Sequence, residues 1–444
     1  MNSLGSSQQQ KNKKRKEAKN PKKEIFRSDT AGKLFTLISS PKIPCVYRFW
    51  ATLKDYVNII DLQQALDNII ERFPYYHVVI KRGFRWFHWQ KTDKKIKVTH
   101  DREYPCQYIP LREPNTIPIR VMVNKNQIII EFNHSLTDGT GALIFLKALL
   151  GEYYNIQGLQ IDDWEGIFRP NQQLDPSETE YAHRKYYERG IPKIDSVFPA
   201  FHLPHQRINN GIFRVINGKM SVEEVLLVSK KYNVTLTEYL AAIYIEVLQE
   251  ILLSLPPKKQ KRLKRPIRIL VPINIRNLLP SKTMWNFTAF VAPGIDPRLG
   301  KYSFEEIIDQ VHHYKNMQMN KKFIVQQISD YVRLERNPFI SWIPRFIKRW
   351  FVSPIYKNIG ESMFSAIMTN LGITSMPIPL NDEIFDLHVL PMNHPYFKTG
   401  CALLTYNGDL NINFGRNIQE SIVEEKFFSK LKKDGINVRV TEIN

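Results

Sequence analysis

Residues 119–150 read IRVMVNKNQIIIEFNHSLTDGTGALIFLKALL, and this stretch decides the fold. Apolar runs lie on either side of Lys125-Asn126, a pair suited to a tight turn, so strands at 119–124 and 127–133 are expected to pair as a hairpin. Strand parity puts Ile128, Ile130, Phe132 and His134 on one face, with His134 at the end of a core-facing row. From Gly139 the spacing becomes helical, and Asp138 stands where an N-cap is needed. Gly139 and Gly141 allow other backbone to come close. A strand end, a histidine, a turn and a helix N-terminus thus converge within a few residues. From these residues alone His134 reads either as a functional group or as a hydrogen-bonded structural one, and Asp138 either as more than a cap or as a cap only.

Working outward, 46–53 reads as a strand and 61–73 as an amphipathic helix with Leu62, Leu66, Ile69 and Ile70 on one stripe. Strand patterns follow at 77–81, 85–90 and 96–100. Pro170, Pro176, Pro192, Pro199 and Pro204 punctuate a weakly periodic stretch that reads as a crossover. Beyond it, helices are expected at 221–232, 236–253, 303–334 and 340–357, and strands at 267–272, 286–292, 365–369, 385–390, 401–406 and 410–414. A chain of 444 residues is too long for one ordinary core. The expectation is an α/β protein with mixed sheets in two lobes. A disordered basic arm would occupy 1–28, an N-terminal lobe 29–190 and a C-terminal lobe 191–444.

Composition narrows the function classes. Hydrophobic residues make up 43% and charged ones 24%, which is a folded globular balance. No run of apolar residues is long enough for a spanning helix, and the polar start lacks the apolar core of a secretory signal, so a cytoplasmic protein is expected. Three cysteines, Cys45, Cys106 and Cys401, suggest neither a disulfide framework nor a metal knuckle. The net charge of +20 favours anionic partners, among them a membrane surface or a phosphorylated cofactor such as coenzyme A. There is no GxSxG, GxxxxGK[ST] or HExxH pattern to support serine-hydrolase, P-loop or zincin chemistry.

His134-x-x-x-Asp138-Gly139, after an apolar strand and before an apolar helix, resembles the HxxxDG motif of the CoA-dependent acyltransferase superfamily. That superfamily includes chloramphenicol acetyltransferase, the condensation domains of peptide synthetases, the plant BAHD enzymes and the alcohol acetyltransferases. Val271-Pro272-Ile273-Asn274-Ile275-Arg276 is similar to its P-x-N-x-R strand, and Thr369-Asn370-Leu371-Gly372 to its S/T-N-L-G stretch. The early segment Phe49-Trp50-Ala51-Thr52-Leu53, with Ala65-Leu66 and Phe73-Pro74, looks most like bacterial alcohol acetyltransferase-like proteins. Two departures stand out. Asn133 occupies the place of a second histidine that many of the superfamily carry, and Asn413-Phe414-Gly415-Arg416-Asn417 is a poor match to the plant DFGWG.

The resemblance implies two chloramphenicol-acetyltransferase-like lobes with an active-site tunnel between them. His134 would then be the general base that activates an acceptor hydroxyl, a task imidazole suits because its usual pKa lies near neutrality. Asp138 would turn away from substrate and pair with Arg276, with Gly139 supporting the site, while Asn370 and Thr369 would face the tunnel and support the oxyanion or substrate. It implies no bound cofactor and no metal, acyl-CoA as co-substrate and a small alcohol as acceptor. An amine acceptor or a carrier-protein thioester donor is the alternative, as is a non-catalytic relative that binds an anionic ligand or membrane. A monomer without nucleic-acid partners is expected. His312-His313 reads as a solvated helix face, and the basic run 258–265 as a solvated loop with phosphate binding as the sharper reading. Residues 342–351 (WIPRFIKRWF) mix aromatic and basic residues in a way that suits either lobe packing or the membrane headgroup zone.

Overall fold

The computed structural model describes residues 24–443 apart from 85, 165, 195–197, 338–342, 344–346, 348–360 and 395–396. The expected helix at 340–357 and the aromatic-basic segment 342–351 fall almost wholly outside the described residues, as does the arm over 1–23. The N-terminal half runs β1 (Ile25–Arg27), α1 (Thr30–Ile38), β2 (Val46–Leu53), α2 (Ile59–Ile70), β3 (Val78–Arg82), β4 (Phe87–Lys91), β5 (Val98–His100), β6 (Ile119–Asn124), β7 (Gln127–Asn133) and α3 (Gly139–Ile156). The expected arm ended at 28, but β1 pairs with β4, with Phe26 opposite Trp89, because buried Phe26 gives this short segment an apolar anchor.

β6 and β7 form the hairpin, with Asn124 opposite Gln127 and Lys125 in the left-handed conformation at φ 52° that such turns use. β2 lies on the other side of β7, where Tyr47 faces Phe132, Phe49 faces Ile130 and Ala51 faces Ile128. These rows pack under α3, whose Phe145 meets Phe132 edge-on at 5.6 Å. The opposite face is buried as well, and there Arg48 pairs with Glu131 at 2.8 Å.

The C-terminal half runs β8 (Arg214–Ser221), α4 (Val222–Lys231), α5 (Leu236–Ser254), β9 (Ile267–Asn274), β10 (Thr288–Val291), β11 (Gly294–Ile295), α6 (Phe304–Gln318), α7 (Lys321–Arg336), β12 (Ala366–Thr374), β13 (Ile384–Leu390), β14 (Thr399–Tyr406), β15 (Asp409–Arg416), α8 (Ile422–Lys433) and β16 (Arg439–Ile443). Its sheet has the order β10-β9-β12-β14-β15-β8-β16, with β11 against β9. The sheet is mixed: β12 runs parallel to both β9 and β14, and β15 runs antiparallel to its neighbours. The single helix expected over 303–334 is two, because Asn320 caps a new start by accepting from Phe323 N at 3.0 Å. The basic run expected as a loop forms an exposed short helix, Pro257–Leu263, opened by proline at its first turn.

β13 departs from the sequential division of lobes at 190/191. It joins the N-terminal sheet, in the order β13-β2-β7-β6-β5, and runs antiparallel to β2 with His388 opposite Trp50. Its arrival covers an edge of β2 that would otherwise present unpaired backbone groups. The sequence of the two following strands shows how the sheets then pack together. On β14, Ala402, Leu404 and Tyr406 join the N-terminal core while Cys401 and Leu403 join the C-terminal one, so a period of two serves both. On β15, Leu410, Ile412 and Phe414 face the C-terminal core. The alternate residues Asn411 and Asn413 reach β13, donating to Leu387 O at 3.3 Å and Val389 O at 3.0 Å.

Candidate active site

β7 ends at Asn133, a buried amide that shapes the turn that follows. Its Oδ1 accepts from Ser135 N at 3.1 Å and Ser135 Oγ at 2.6 Å, and its Nδ2 donates to Pro44 O at 3.2 Å. The position where a second histidine was looked for is therefore given to loop geometry. The rest of the loop is fastened to the segment 284–287 of the other half. Thr137 Oγ1 and the Tyr76 hydroxyl both donate to Met284 O, at 2.7 and 3.0 Å. Gly141 is required at this crossing, because a Cβ there would collide with Thr137 Oγ1, the Tyr76 hydroxyl and Met284 O.

Asp138 divides its carboxylate between two tasks. Oδ1 caps α3 by accepting from Thr140 N and Gly141 N at 3.1 and 3.2 Å. Oδ2 accepts from Arg276 Nη1 at 2.9 Å and from Phe287 N at 2.8 Å. With 2% exposure for Asp138 and 11% for Arg276, this is a buried ion pair. Arg276 also donates to Trp285 O at 2.8 Å and Thr283 O at 3.1 Å, so one guanidinium organises the whole turn after β9. The strand expected from 286 begins only at Thr288 for this reason: Phe287 N is committed to Asp138 rather than to a ladder.

His134 is partly exposed, its backbone N–H held by Cys45 O at 2.7 Å. Its ring lies between Phe35, stacked at 4.5 Å, and Tyr47 at 4.9 Å. Nδ1 is 2.9 Å from Asn286 Oδ1, while Asn286 Nδ2 donates to His134 O and to Asp29 Oδ2, each at 3.1 Å. Burial holds the imidazole below its usual pKa range, against the opposing pull of the Asp138 charge and the Asn286 bond. Burial also pushes Asp29 up to about 6, although hydrogen bonds from Gly32 and Asn286 favour its charged form. Neither Asn286 nor Asp29 was singled out in the sequence. The only local signal is that Asp29 precedes a helix as its cap, and nothing in Trp285-Asn286-Phe287 announces a contact 152 positions away.

The other candidate residues are placed less directly. Gly139 faces β12, where a Cβ on it would stand 3.1 Å from Leu371 Cδ1. Asn370 uses its side chain within its own lobe, donating to Thr237 Oγ1 and accepting from Gly372 N, both at 2.8 Å. Among the described residues the Asn370 amide donates one of its two N–H groups, to Thr237. Thr369 sits in the ladder opposite Ala402. A surface cavity of about 590 Å³ lined by Trp164, Phe168 and Arg169 includes none of these residues. His312, expected as a solvated position, has a side chain 39% exposed, with Nδ1 3.1 Å from Glu238 Oε1 on α5.

No family model and no curated protein matches the chain. Solved structures match it along nearly its whole length at low identity. Polyketide synthase associated protein 5 from Mycobacterium tuberculosis is 14% identical with a TM-score of 0.59, over 92% of this chain and 98% of that one. TRI101 from F. graminearum, complexed with coenzyme A and T-2 mycotoxin, is 10% identical with a TM-score of 0.60, over 94% and 99%. The wax ester synthase/diacylglycerol acyltransferase from Marinobacter aquaeolei VT8 is 12% identical with a TM-score of 0.52, over 92% and 99%. The chain has the two-lobed α/β fold, with mixed sheets, that CoA-dependent acyltransferases and condensation domains share.

Proposed function

We propose that the chain is an acyl-CoA-dependent O-acyltransferase, close to alcohol acetyltransferases in its chemistry, with His134 as general base. One observation carries the reading: a partly exposed imidazole, its pKa lowered by desolvation, stands on a loop whose buried acidic residue is turned away to an arginine only 11% exposed. His134 Nε2 makes no hydrogen bond among the described residues and is free to take a proton. As the acceptor oxygen bonds to the thioester carbonyl carbon, its proton passes to Nε2 and the carbonyl π pair becomes an oxyanion. Collapse breaks the C–S bond, and the leaving thiolate recovers the proton from the imidazolium, so no covalent enzyme intermediate forms. The remaining N–H of Asn370, with Thr369 beside it, is the proposed oxyanion or substrate contact, and Asp138, Gly139 and Arg276 hold the loop. The +20 net charge suits the phosphates of coenzyme A, and the basic residues 1–24 suit an anionic membrane surface beside an otherwise cytoplasmic monomer.

The test is mass spectrometry of products after incubation with acetyl-CoA and longer acyl-CoA donors, with mixed alcohols and amines. Esters that form with the protein and are absent from controls lacking it support the reading, amides move it to an amine acceptor, and no product with any donor sinks it. His134→Ala should lower turnover on the order of 100- to 10,000-fold while leaving the unfolding transition in place.

A further inference from the structure

The side-chain amide of Asn286 has its two ends fixed by chemistry. Nδ2 carries two hydrogens and donates them to two acceptors, the main-chain carbonyl of His134 and the Asp29 carboxylate, each at 3.1 Å. Turned over, the amide would set its oxygen against a carbonyl and a carboxylate and lose both bonds. Oδ1 therefore faces His134 Nδ1, at 2.9 Å, as an acceptor. The carbonyl of His134 itself is a second acceptor near the ring. In the neutral ring the hydrogen then belongs on Nδ1, and the lone pair is left on Nε2. Asp29 in turn is anchored as the cap of α1, where its Oδ1 accepts from Gly32 N at 2.7 Å. That helix is also the one that lays Phe35 on the imidazole.

We propose that Asn286, held by Asp29, is the positioning residue that fixes His134 in its Nδ1–H tautomer and so makes Nε2 the base. The proposal rests on the general-base reading of His134. Three residues from three separate segments make the device, and only one of them belongs to the HxxxDG stretch. When Nε2 takes the acceptor's proton, the Nδ1–H···Oδ1 bond becomes charge-assisted and strengthens as the imidazolium forms. Asn286 therefore acts through His134 without touching the reacting atoms.

The direct test is nitrogen-15 NMR of the full chain labelled at histidine, at neutral pH, with His134 assigned by the signals lost in His134→Gln. A protonated Nδ1 beside an unprotonated Nε2 is expected. A protonated Nε2 in the unaltered protein overturns the proposal whether or not any substrate turns over. Asn286→Ala should mix the tautomers and lower kcat about 10- to 100-fold with little change in KM, as loss of a group that orients a histidine does. Unchanged kcat with an unchanged tautomer also overturns it. Because Asn286→Ala strands Asp29, the pair Asn286→Ala with Asp29→Asn gives a second route: it leaves no stranded carboxylate and keeps an oxygen to cap Gly32 N. The tautomers should mix there as in the single variant, and a ring still held wholly as Nδ1–H counts against the assignment. An Nδ1–H ring in a protein that acylates nothing would leave the tautomer assignment standing and remove the acyltransferase reading instead.

Discussion

Two seams join the C-terminal half of the chain to the N-terminal sheet, and they are built from different materials. The seam at 284–287 grips the loop after β7 through a buried carboxylate-guanidinium pair and a histidine. The seam at β13 is built mainly of buried amides, with one ion pair near its start, Lys219 to Asp386 at 2.7 Å: Asn217 donates to Asn413 Oδ1 at 3.0 Å, and Asn411 and Asn413 donate to β13 main-chain carbonyls. Neutral amides satisfy carbonyls without the desolvation cost of an ion, which suits a joint that only has to hold. A buried ion pair loses little when intact and a great deal when one partner is removed, so it fixes geometry sharply. The charged seam lies beside the imidazole, where small displacements would matter most to chemistry.

The largest effect on stability is expected at the charged seam. Asp138→Ala or Arg276→Ala should each destabilise by roughly 3–5 kcal/mol in urea unfolding, because the remaining charge is stranded in a dry site. Asp138→Asn is the sharper variant. Its oxygen can still cap Thr140 N and Gly141 N, but its NH₂ would then point at two donors, Arg276 Nη1 and Phe287 N. Loss close to that of the alanine change is expected, whereas a harmless Asp138→Asn would reduce Asp138 to a cap. At the amide seam, Asn413→Ala leaves Val389 O without its partner and should cost about 1–3 kcal/mol. Turnover per folded molecule should not change there, and a loss of kcat would break the contrast between the two seams.

How much of this was legible depended on how far apart the partners lie. The hairpin at 119–133 and the start of α3 follow from alternation, a turn pair and a cap within one short window. Asp138 and Arg276 were brought together only by a resemblance, since 138 positions separate them. Asn286 and Asp29 carried no pattern at all, because a single amide in a turn looks like any other polar residue until the fold delivers its partners. The place of β13 was illegible for the same reason: Phe385 to Leu390 reads plainly as a strand, but nothing in it says which sheet it enters. β16 escaped notice because it is an edge strand whose Arg439, Val440, Thr441 and Glu442 are exposed, so no buried row repeats there.

The charged seam also predicts a pH effect that the amide seam does not share. On the proposed role of His134 as general base, the active form is the deprotonated one; burial lowers the pKa of His134, so activity should persist below the usual value of about 6.5 before it falls. The acid limb of kcat/KM should therefore have its midpoint below about 6.5. Asp29, pushed up to about 6, titrates nearby, and Asp29→Asn should keep the limb if His134 is its source. A midpoint above the usual histidine value would contradict the burial of the ring. Asn413→Ala should leave the profile where it is.

The smallest effect expected is the coupling between the seams. Asp138 bonds to Thr140, Gly141, Arg276 and Phe287, while Asn413 bonds to Asn217 and Val389, so the two share no partner. Combined, Asp138→Asn and Asn413→Ala should add to within about 0.3–0.5 kcal/mol. Asp138→Asn combined with Arg276→Ala should depart from additivity by about 0.5–3 kcal/mol, since the second change removes what the first has already broken. If instead the two seams couple as strongly as that pair, the lobes respond as one rigid unit, and the charged seam fixes the whole interface as well as the loop under His134. Additivity between seams with coupling inside the charged one would confine its influence to the imidazole and the turn that holds it.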